Sequence, residues 1–378
     1  MSKYKIKKVE TEQEMTQFIR FSEQLYARCP YYVPDMESEI REYFDPKSNP
    51  GLEFSSIQPF LCIDVDGNVV GRIAGIINPV ANQTWQVKNV RFGYIDFIDD
   101  IEVSGALLDA VAEWGRAQGM TRIQGPMGIS DFDKEGMLVE DFDKVGSEVT
   151  IYNYPYYPKH MEQLGFQKEA DWIQIRVDVP KEVPERFSHV SALLKKRYGW
   201  RVHKMTSREI EKEGYGRKVF QLLNEAYQPL FGFSKLSDRQ VDAFVKKYLT
   251  LVDLNLAPCI VDKEGNLIGI AVTMASLTRA LQKSKGRLLP WGWYHLLKSL
   301  KWKHEDHVEM LLIAVKPEYQ RLGVNALMFD DLIPVYNRYH FKYAETGPQL
   351  EDNEKELNQW RTLNPTFEKR RRCYGKEL

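Results

Sequence analysis

The amino-acid sequence predicts an α/β protein built from two similar halves. The chain has 378 residues, more than one ordinary domain uses and a suitable length for two. A stretch at 59–71 recurs at 257–269, and strand-like and helix-like segments flank both copies in a similar order. These observations indicate an internal duplication. The identical positions are Asp64, Gly67, Asn68 and Gly71 in the first copy and Asp262, Gly265, Asn266 and Gly269 in the second.

Each repeated stretch predicts a β-hairpin, because an apolar run is followed by a turn of Asp, Gly and Asn and by a second apolar run. Hairpins of this kind are common, so a chance similarity is the alternative. In the first half we predict strands at 5–9, 91–98, 123–126 and 172–179 and helices at 12–29, 103–118 and 158–164. In the second half we predict strands at 200–204 and 308–315 and helices at 207–227, 237–251 and 324–339. A helix at 184–197 would join domains 1–182 and 183–378.

Composition excludes several classes of protein. A net charge of −1 gives no argument for a nucleic-acid partner. The N-terminal residues lack the apolar core of a signal peptide, and no apolar run is long enough to cross a membrane. The four cysteines lie far apart without a C-x-x-C pair, and the histidines show no metal-ligand spacing, so we expect neither disulfides nor a metal. A cytoplasmic protein is expected, with an oligomeric state that the sequence leaves open.

The most informative segment is 309–326, E-M-L-L-I-A-V-K-P-E-Y-Q-R-L-G-V-N-A. It predicts a buried strand, a glycine turn at Gly323 and the start of a helix. The N–H groups of a first helical turn have no partner within the helix, and the helix dipole is positive there, so such a turn can bind a pyrophosphate. A glycine between a strand and a helix also occurs for purely structural reasons.

The motif V-x-P-E-Y-Q-x-x-G-V resembles the acyl-CoA-binding motif of the GNAT superfamily of N-acetyltransferases. The predicted element order resembles GNAT domains too, which implies two domains, each a mixed, mostly antiparallel sheet with helices on both faces. Gln320 and Gly323 match the family pattern, whereas Asn325 stands where Gly or Ala is usual. The resemblance implies acetyl-CoA or another acyl-CoA as cosubstrate. The implied cofactor-binding residues are Ala314 and Val315 at the thioester, Gln320, Arg321, Leu322, Gly323, Val324, Asn325 and Ala326 at the pyrophosphate, and Asn353.

The resemblance also implies catalytic residues. Several family members carry a general base where Glu309 stands, and simple alternation along the strand would place its carboxylate on one face with Ile313 and Val315, where apolar neighbours would raise its pKa. A solvent-exposed Glu309 at the start of the strand is the alternative. The family's general acid is a tyrosine seven residues after the Asn353 position, but Trp360 stands there and cannot donate a proton to a thiolate. Tyr343 is then the candidate acid, with Tyr336 as an alternative, unless CoA leaves as a thiolate without a protein donor.

The first half resembles a degenerate copy without CoA. Asp99, Asp100 and Glu102 stand where the pyrophosphate turn would lie, and three carboxylates would repel it. Asp100 could instead simply cap a helix.

Residues 277–304 form an insertion with seven Lys/Arg, no Asp or Glu, and several Trp and Leu residues. The ordinary interpretation is that the apolar side chains pack on the domain. The alternatives are a groove for substrate or acyl chain, and peripheral contact with a membrane surface.

Three functions remain open. The first is transfer of an acyl group from acyl-CoA, most simply acetyl-CoA, to a small-molecule or peptide amine. The second is a non-catalytic acyl-CoA-binding or interaction protein, which Trp360 and Asn325 favour. The third, suggested by the paired halves, is an aminoacyl transfer of the Fem-like type.

Overall fold

A computed structural model describes residues 3–249 and 252–378. The chain divides into two compact units, and neither is continuous in sequence. The first contains residues up to Ile173, together with Leu277–Leu297 and Glu368–Leu378, and the second contains Gln174–Ser276 and Lys298–Phe367. The predicted domains 1–182 and 183–378, in contrast, are each continuous in sequence. They describe the internal duplication and remain a prediction.

The first unit contains a mixed sheet with helices on both faces. Its strands are β1 (Tyr4–Lys8), β2 (Ser56–Asp64), β3 (Val69–Ile77), β4 (Asn89–Phe97), β5 (Arg122–Gly125), β6 (Met137–Leu138), the first part of β7 (Gln167–Asp178) and most of β14 (Thr366–Glu377). Its helices are α1 (Glu12–Leu25), α2 (Glu37–Phe44), α3 (Pro79–Trp85), α4 (Ile101–Arg116), α5 (Tyr156–Gln163), α10 (Thr278–Ser284) and α11 (Gly292–Leu297).

Helices α4 and α1 cover opposite faces of this first sheet. The Cα of Gly71 on β3 lies so close to α4 that a Cβ would come within 2.7 Å of Leu107. The next residue, Arg72, points to the other face and donates to the carbonyl of Phe18 on α1. Successive residues of a strand point to opposite faces, which explains this arrangement.

The second unit has its own mixed sheet. Its strands are the rest of β7, β8 (Arg201–Lys204), β9 (Pro258–Val261), β10 (Leu267–Ala275), β11 (His307–Val315), β12 (Tyr343–Thr346) and β13 (Gln349–Leu350). Its helices are α6 (Glu185–Tyr198), α7 (Ser207–Lys212), α8 (Tyr215–Tyr227), α9 (Asp238–Phe244), α12 (Val324–Arg338) and α13 (Glu354–Gln359).

The strand order is the same in the two units. The first reads β1-β2-β3-β4-β5-β14 and the second β8-β9-β10-β11-β12-β7, and all neighbours whose registers are described are antiparallel except β4–β5 and β11–β12, which are parallel. The predicted mixed, mostly antiparallel sheet with helices on both faces is therefore confirmed. The two repeated hairpins are β2–β3 and β9–β10.

Two details differ from the sequence prediction. The helix predicted at 207–227 is broken at Gly214, whose φ of 71° is left-handed, and forms α7 and α8. The helix predicted at 237–251 is α9, which ends at Phe244; Val245–Leu249 continue as a π-helical turn, and 250–251 lie outside the described residues.

The insertion does not follow the ordinary interpretation. Leu289 and Trp291 are 77% and 69% exposed, and Trp302 is 62% exposed. The expectation that its large apolar side chains pack on a domain is therefore wrong for these residues. No helix within 3–249 or 252–378 has the length and apolar content to cross a membrane.

Candidate active site

The candidate site lies where β11 of the second unit runs past the end of β12. The parallel register begins at His307–Tyr343 and ends at Met310–Thr346, while β11 continues to Val315. Residues 311–313 are half-buried, although the strand is apolar. Two parallel strands that part in this way leave backbone groups and apolar side chains available to a ligand.

A β-bulge at Leu311 changes which side chains share a face of β11. Thr273 pairs with Met310 and Val272 with Leu312, so Leu311 is the extra residue. Glu309 therefore lies on the same face as Leu312 and Ala314, and the simple alternation that placed it with Ile313 and Val315 is wrong. Ile313 and Val315 instead pack against the core formed with α12.

Backbone groups of β11 alternate between β10 and the open side. The N–H of Lys316 donates to the carbonyl of Ile268, which lies toward β10. By alternation the N–H of Val315 points to the open side and that of Ala314 toward β10. The carbonyl of Ile313 also faces the open side, where it accepts a hydrogen bond from the Tyr227 hydroxyl at 3.1 Å.

The predicted turn connects β11 to α12. Gly323 has a φ of 86° and immediately precedes the helix, and Arg321 has a φ of 68°. Gln320 donates through its side chain to the carbonyl of Val315 at 3.2 Å, which ties the turn to the strand. Leu322 is 43% exposed.

Several N–H groups of this turn are available for a ligand. Within the described part of the chain, the backbone N–H groups of Arg321, Gly323, Val324 and Asn325 have no acceptor, whereas that of Ala326 already donates to Gly323. The side chains of Val324 and Ala326 are buried in the core, so only their backbone could touch a ligand. An anion at the start of α12 would meet these free donors and the positive end of the helix dipole.

Asn325 and Asn353 have structural partners. The Asn325 side-chain amide donates to the Gln359 side chain, and its backbone N–H remains directed out of the helix start. The carbonyl of Asn353 accepts from Leu357 at the start of α13. That these two residues contact the cofactor remains a prediction.

Trp360 is a core residue. It is 1% exposed, its ring packs edge-on against Phe329 of α12 at 5.5 Å, and its indole N–H donates to Gln349 at 3.1 Å. The indole therefore fills the place where the family pattern has a tyrosine, and any proton donor must come from elsewhere. Tyr336, the alternative donor, is also buried, at 3% exposed.

A group of ionisable side chains surrounds Glu309 just before the strands part. Glu309 is 1% exposed, so the alternative that it starts the strand in solvent is wrong. Its carboxylate lies 3.4 Å from His307 Nε2. Glu345 stands directly opposite Glu309 on β12, and Arg176 stands opposite Glu345 on β7, so the three side chains project from the same face.

Tyr343 lies between His307 and Arg176. Its ring stacks on His307 at 4.7 Å with 4° between the planes, and the Arg176 guanidinium lies 3.8 Å from the ring centroid. Burial, followed by the charges of Glu345 and Asp306, raises the pKa of Tyr343 above that of an ordinary tyrosine. A raised pKa keeps the phenol protonated, which a proton donor requires, but makes it a weaker acid.

The pKa of His307 is also raised. Burial lowers it, but the hydrogen bond and charge of Glu309 and the charge of Glu345 raise it more, to a net value above 6.5. The imidazolium–carboxylate pair is thus favoured in the folded protein. The sequence holds a signal for His307, because the H-x-E spacing puts both side chains on one face of a strand. It holds none for Arg176 and Glu345, whose proximity depends on strand register.

The raised pKa predicts pH-dependent stability. A histidine with a raised pKa stabilises the folded state fully below its unfolded pKa of about 6.5 and loses that contribution as pH rises through its folded pKa. Replacing His307 with Gln should therefore lower the free energy of unfolding most at acidic pH and least above the folded pKa. Urea denaturation across this window measures the difference. His189→Gln, at an exposed position of the same unit, is the control, and an equal pH dependence in both variants would contradict the prediction.

The corresponding region of the first unit is occupied by side chains. Tyr157 of α5 stacks on Phe97 at 4.1 Å and accepts from its N–H at 3.1 Å, and Tyr156 donates to its carbonyl at 2.6 Å. Asp96 accepts from Arg72 and from the hydroxyls of Tyr26 and Tyr157.

Two of the three carboxylates predicted near the lost turn, Asp99 and Asp100, make polar contacts within the first unit. Asp100 caps α4 by accepting from the N–H of Glu102 at 2.9 Å, as the capping alternative proposed. Asp99 lies 3.1 Å from His160. Within the described residues, no cluster of three or more His, Cys, Asp or Glu side chains is arranged to hold a metal ion.

Comparison with known proteins gives relatives that extend over most of the chain. No family model matches it. It is 27% identical to protein YghO of Escherichia coli K12 over 383 aligned positions, covering 97% of this chain and 93% of the relative. It is 26% identical to the bacterial ceramide synthase of Caulobacter vibrioides, covering 82% and 80%.

A solved structure supports the fold. A tandem GNAT protein from the clavulanic acid biosynthesis pathway superposes with a TM-score of 0.57 and 12% identity, and the match covers 99% of this chain and 98% of that one. Similarity at this level of identity concerns the fold. Together with the strand order and the strand–turn–helix at Gly323, it shows that the chain has the fold of the GNAT superfamily.

Proposed function

We propose that the second unit transfers an acyl group from acyl-CoA to an amine. The observation that carries the proposal is the set of free backbone N–H groups at the start of α12, in the same unit as a buried carboxylate–imidazole pair on β11. The first element suits the CoA pyrophosphate, and the second suits removal of a proton from an amine. The GNAT fold is consistent with both roles.

In this proposal the turn 320–326 holds the pyrophosphate through the free backbone N–H groups of Arg321, Gly323, Val324 and Asn325. The N–H of Val315 faces the open side of β11 and is the donor best oriented to bind the thioester carbonyl oxygen. As the amine nitrogen attacks the carbonyl carbon, negative charge develops on that oxygen, and a fixed N–H donor stabilises it. Ala314, the preceding residue of β11, would help to position the Val315 N–H at the thioester.

The proton moves from the amine to the Glu309 carboxylate, which His307 orients. The new C–N bond forms, the C–S bond breaks, and CoA leaves as a thiolate that takes up a proton. Tyr343 is the proposed donor of that proton, since Trp360 cannot serve. Asn353 is proposed to contact CoA.

The acyl and acceptor groups are proposed from the relatives and the apolar site. A ceramide is the amide of a fatty acid with a sphingoid base, so the name of the Caulobacter relative favours a long-chain acyl-CoA and a lipid amine over acetyl-CoA and a small amine or peptide. The half-buried residues Leu311 and Leu312 give apolar surface at the open strand. The acetyl transfer that the sequence analysis favoured stays as the alternative.

The first unit is proposed to be a degenerate tandem copy that does not bind CoA, because tyrosines of α5 cover the end of β4. Its role would then be structural.

A thiol-release assay tests the proposed function. Palmitoyl-CoA and acetyl-CoA are each incubated with sphinganine, short alkylamines and an N-terminal peptide, and free CoA is measured with a chromogenic disulfide. We expect amine-dependent release, fastest with palmitoyl-CoA and sphinganine. If the protein binds acyl-CoA but releases no free CoA with any of the amines, the non-catalytic function is favoured. Absence of acyl-CoA binding, with binding of charged tRNA, would favour the Fem-like aminoacyl transfer.

A further inference from the structure

The first unit carries an unusual concentration of exposed apolar side chains, on residues 288–297. Six of the sixteen large hydrophobic side chains that are exposed in the described structure fall within these ten residues: Leu288, Leu289, Trp291, Trp293, Tyr294 and Leu297. Scattered exposed apolar residues are normal, but a contiguous group marks a surface that meets an apolar partner. We call residues 277–297 the tryptophan segment.

Polar contacts hold residues 282–287, the base of the tryptophan segment, against the rest of the first unit. Gln282 donates to the carbonyls of Pro30 and Tyr32 at 3.0 Å each, and the carbonyl of Gly286 accepts from Glu37 at 2.8 Å. Gly286 has a φ of 70°, and a Cβ there would come within 1.9 Å of the Asp35 carbonyl. The base is therefore held against the unit by hydrogen bonds, and the apolar part is the part that projects.

Hydrogen bonds and ring packing give residues 288–297, the apolar tip of the segment, a defined conformation. The indole N–H of Trp293 donates to the carbonyl of Pro290 at 3.1 Å, and the N–H of Trp293 donates to Leu288 at 2.9 Å. Trp293 and Tyr294 pack edge to face at 6.2 Å. Leu289 and Trp291 lie at the turn before α11 and are the most exposed members of the group.

The charges of the tryptophan segment have one sign. It contains Arg279, Lys283, Lys285 and Arg287 and no Asp or Glu. Arg287 forms ion pairs with Glu23 and Glu37 at the base. Arg279, Lys283 and Lys285 are exposed. Cations beside exposed tryptophan and leucine are the combination that binds anionic lipid surfaces.

We propose that the tryptophan segment docks the protein on an anionic phospholipid bilayer. Leu289, Trp291 and Trp293 would enter the interface between headgroups and acyl chains, where the amphipathic indole ring is favoured. Arg279, Lys283 and Lys285 would meet the lipid phosphates. The proposal does not depend on the chemistry of the second unit, since every residue in it belongs to the first.

Vesicle co-sedimentation tests the proposal with the full chain. The wild type should sediment with vesicles of phosphatidylcholine and phosphatidylglycerol, less with phosphatidylcholine alone, and less at high salt, which screens the charges. The double variant Leu289→Ser, Trp291→Ser should lose at least about tenfold in partition coefficient, since it removes two exposed apolar anchors. Lys283→Glu with Lys285→Glu should lose about thirtyfold or more on the anionic vesicles, because each lost basic residue contributes about 1 kcal/mol.

The matched control is Val65→Ser with Trp85→Ser, which removes two exposed apolar side chains from other parts of the first unit. It should bind vesicles like the wild type. Failure of the wild type to sediment, or equal binding by the Leu289/Trp291 variant, would overturn the proposal. Light scattering without lipid tests whether a second copy of the chain covers this surface instead. If the wild type is an oligomer and the Leu289/Trp291 variant a monomer, the surface joins two copies of the chain and the membrane assignment is wrong.

Discussion

Replacing Glu309 with Gln is expected to lower the turnover number of acyl transfer by about 10²–10⁴-fold, the usual contribution of a general base. The amide keeps the size of the side chain and its place on β11 but cannot accept the amine proton. The loss should appear in kcat and leave the affinity for acyl-CoA unchanged, because the proposed pyrophosphate contacts are backbone groups of the turn at Gly323. Stopped-flow thiol release and calorimetry with CoA measure the two quantities separately.

A second measurement tests the position of Glu309 without reference to activity. The carboxylate raises the pKa of His307, so Glu309→Gln should lower that pKa, as followed by NMR titration of the imidazole. Glu264→Gln, in the exposed turn of the β9–β10 hairpin, controls for a Glu-to-Gln exchange in the same unit. Unchanged turnover together with a lowered pKa would remove Glu309 from the mechanism while leaving the pair with His307 intact.

The sequence located the strand–turn–helix accurately because its signals are local. The apolar run, Pro317 and Gly323 are consecutive in the chain, and α12 begins at Val324 as predicted. The hairpins were equally local, since each depends on one Asp–Gly–Asn turn whose Asp side chain accepts from the Asn backbone.

The features that the sequence did not predict depend on pairing between residues far apart in the chain. Strand β14 reads T-F-E-K-R-R-R-C-Y-G-K-E, which shows no apolar alternation, yet Arg371 is 1% exposed within it. Arg370 and Arg372 of this strand pair with Asp171, which lies far away in the sequence. Charged residues buried through distant partners carry no local pattern.

The same limit applied to the site. Alternation along β11 gave the wrong companions for Glu309, because the bulge at Leu311 shifts the face by one residue and no residue type marks it. Glu345 and Arg176 joined the site only through the registers of β12 and β7. Conversely, Trp360 gave an argument against catalysis in the sequence, whereas in the structure it is a buried side chain against Phe329.

Gly323→Val should abolish measurable binding of CoA, with a loss of at least about a hundredfold in affinity. Gly323 has a φ of 86°, where a β-branched residue is strained by about 1–3 kcal/mol, and a Cβ there would come within 3.0 Å of Val190 on α6. Relief of that strain moves the N–H groups of Arg321, Gly323, Val324 and Asn325 away from a common point. Losing two hydrogen bonds to a charged phosphate accounts for a hundredfold change.

The matched control is Gly265→Val, because Gly265 has a φ of 88° in the β9–β10 turn, in the same unit and outside the proposed cofactor site. Both variants introduce a left-handed valine, so a loss of stability common to both reflects backbone strain. A loss of CoA affinity confined to Gly323→Val, measured by calorimetry on samples whose circular dichroism matches the wild type, would locate the pyrophosphate at this turn. Equal affinity in Gly323→Val and the wild type would place CoA elsewhere. Absence of CoA binding by the wild type itself would remove the acyl-CoA requirement from the proposed function.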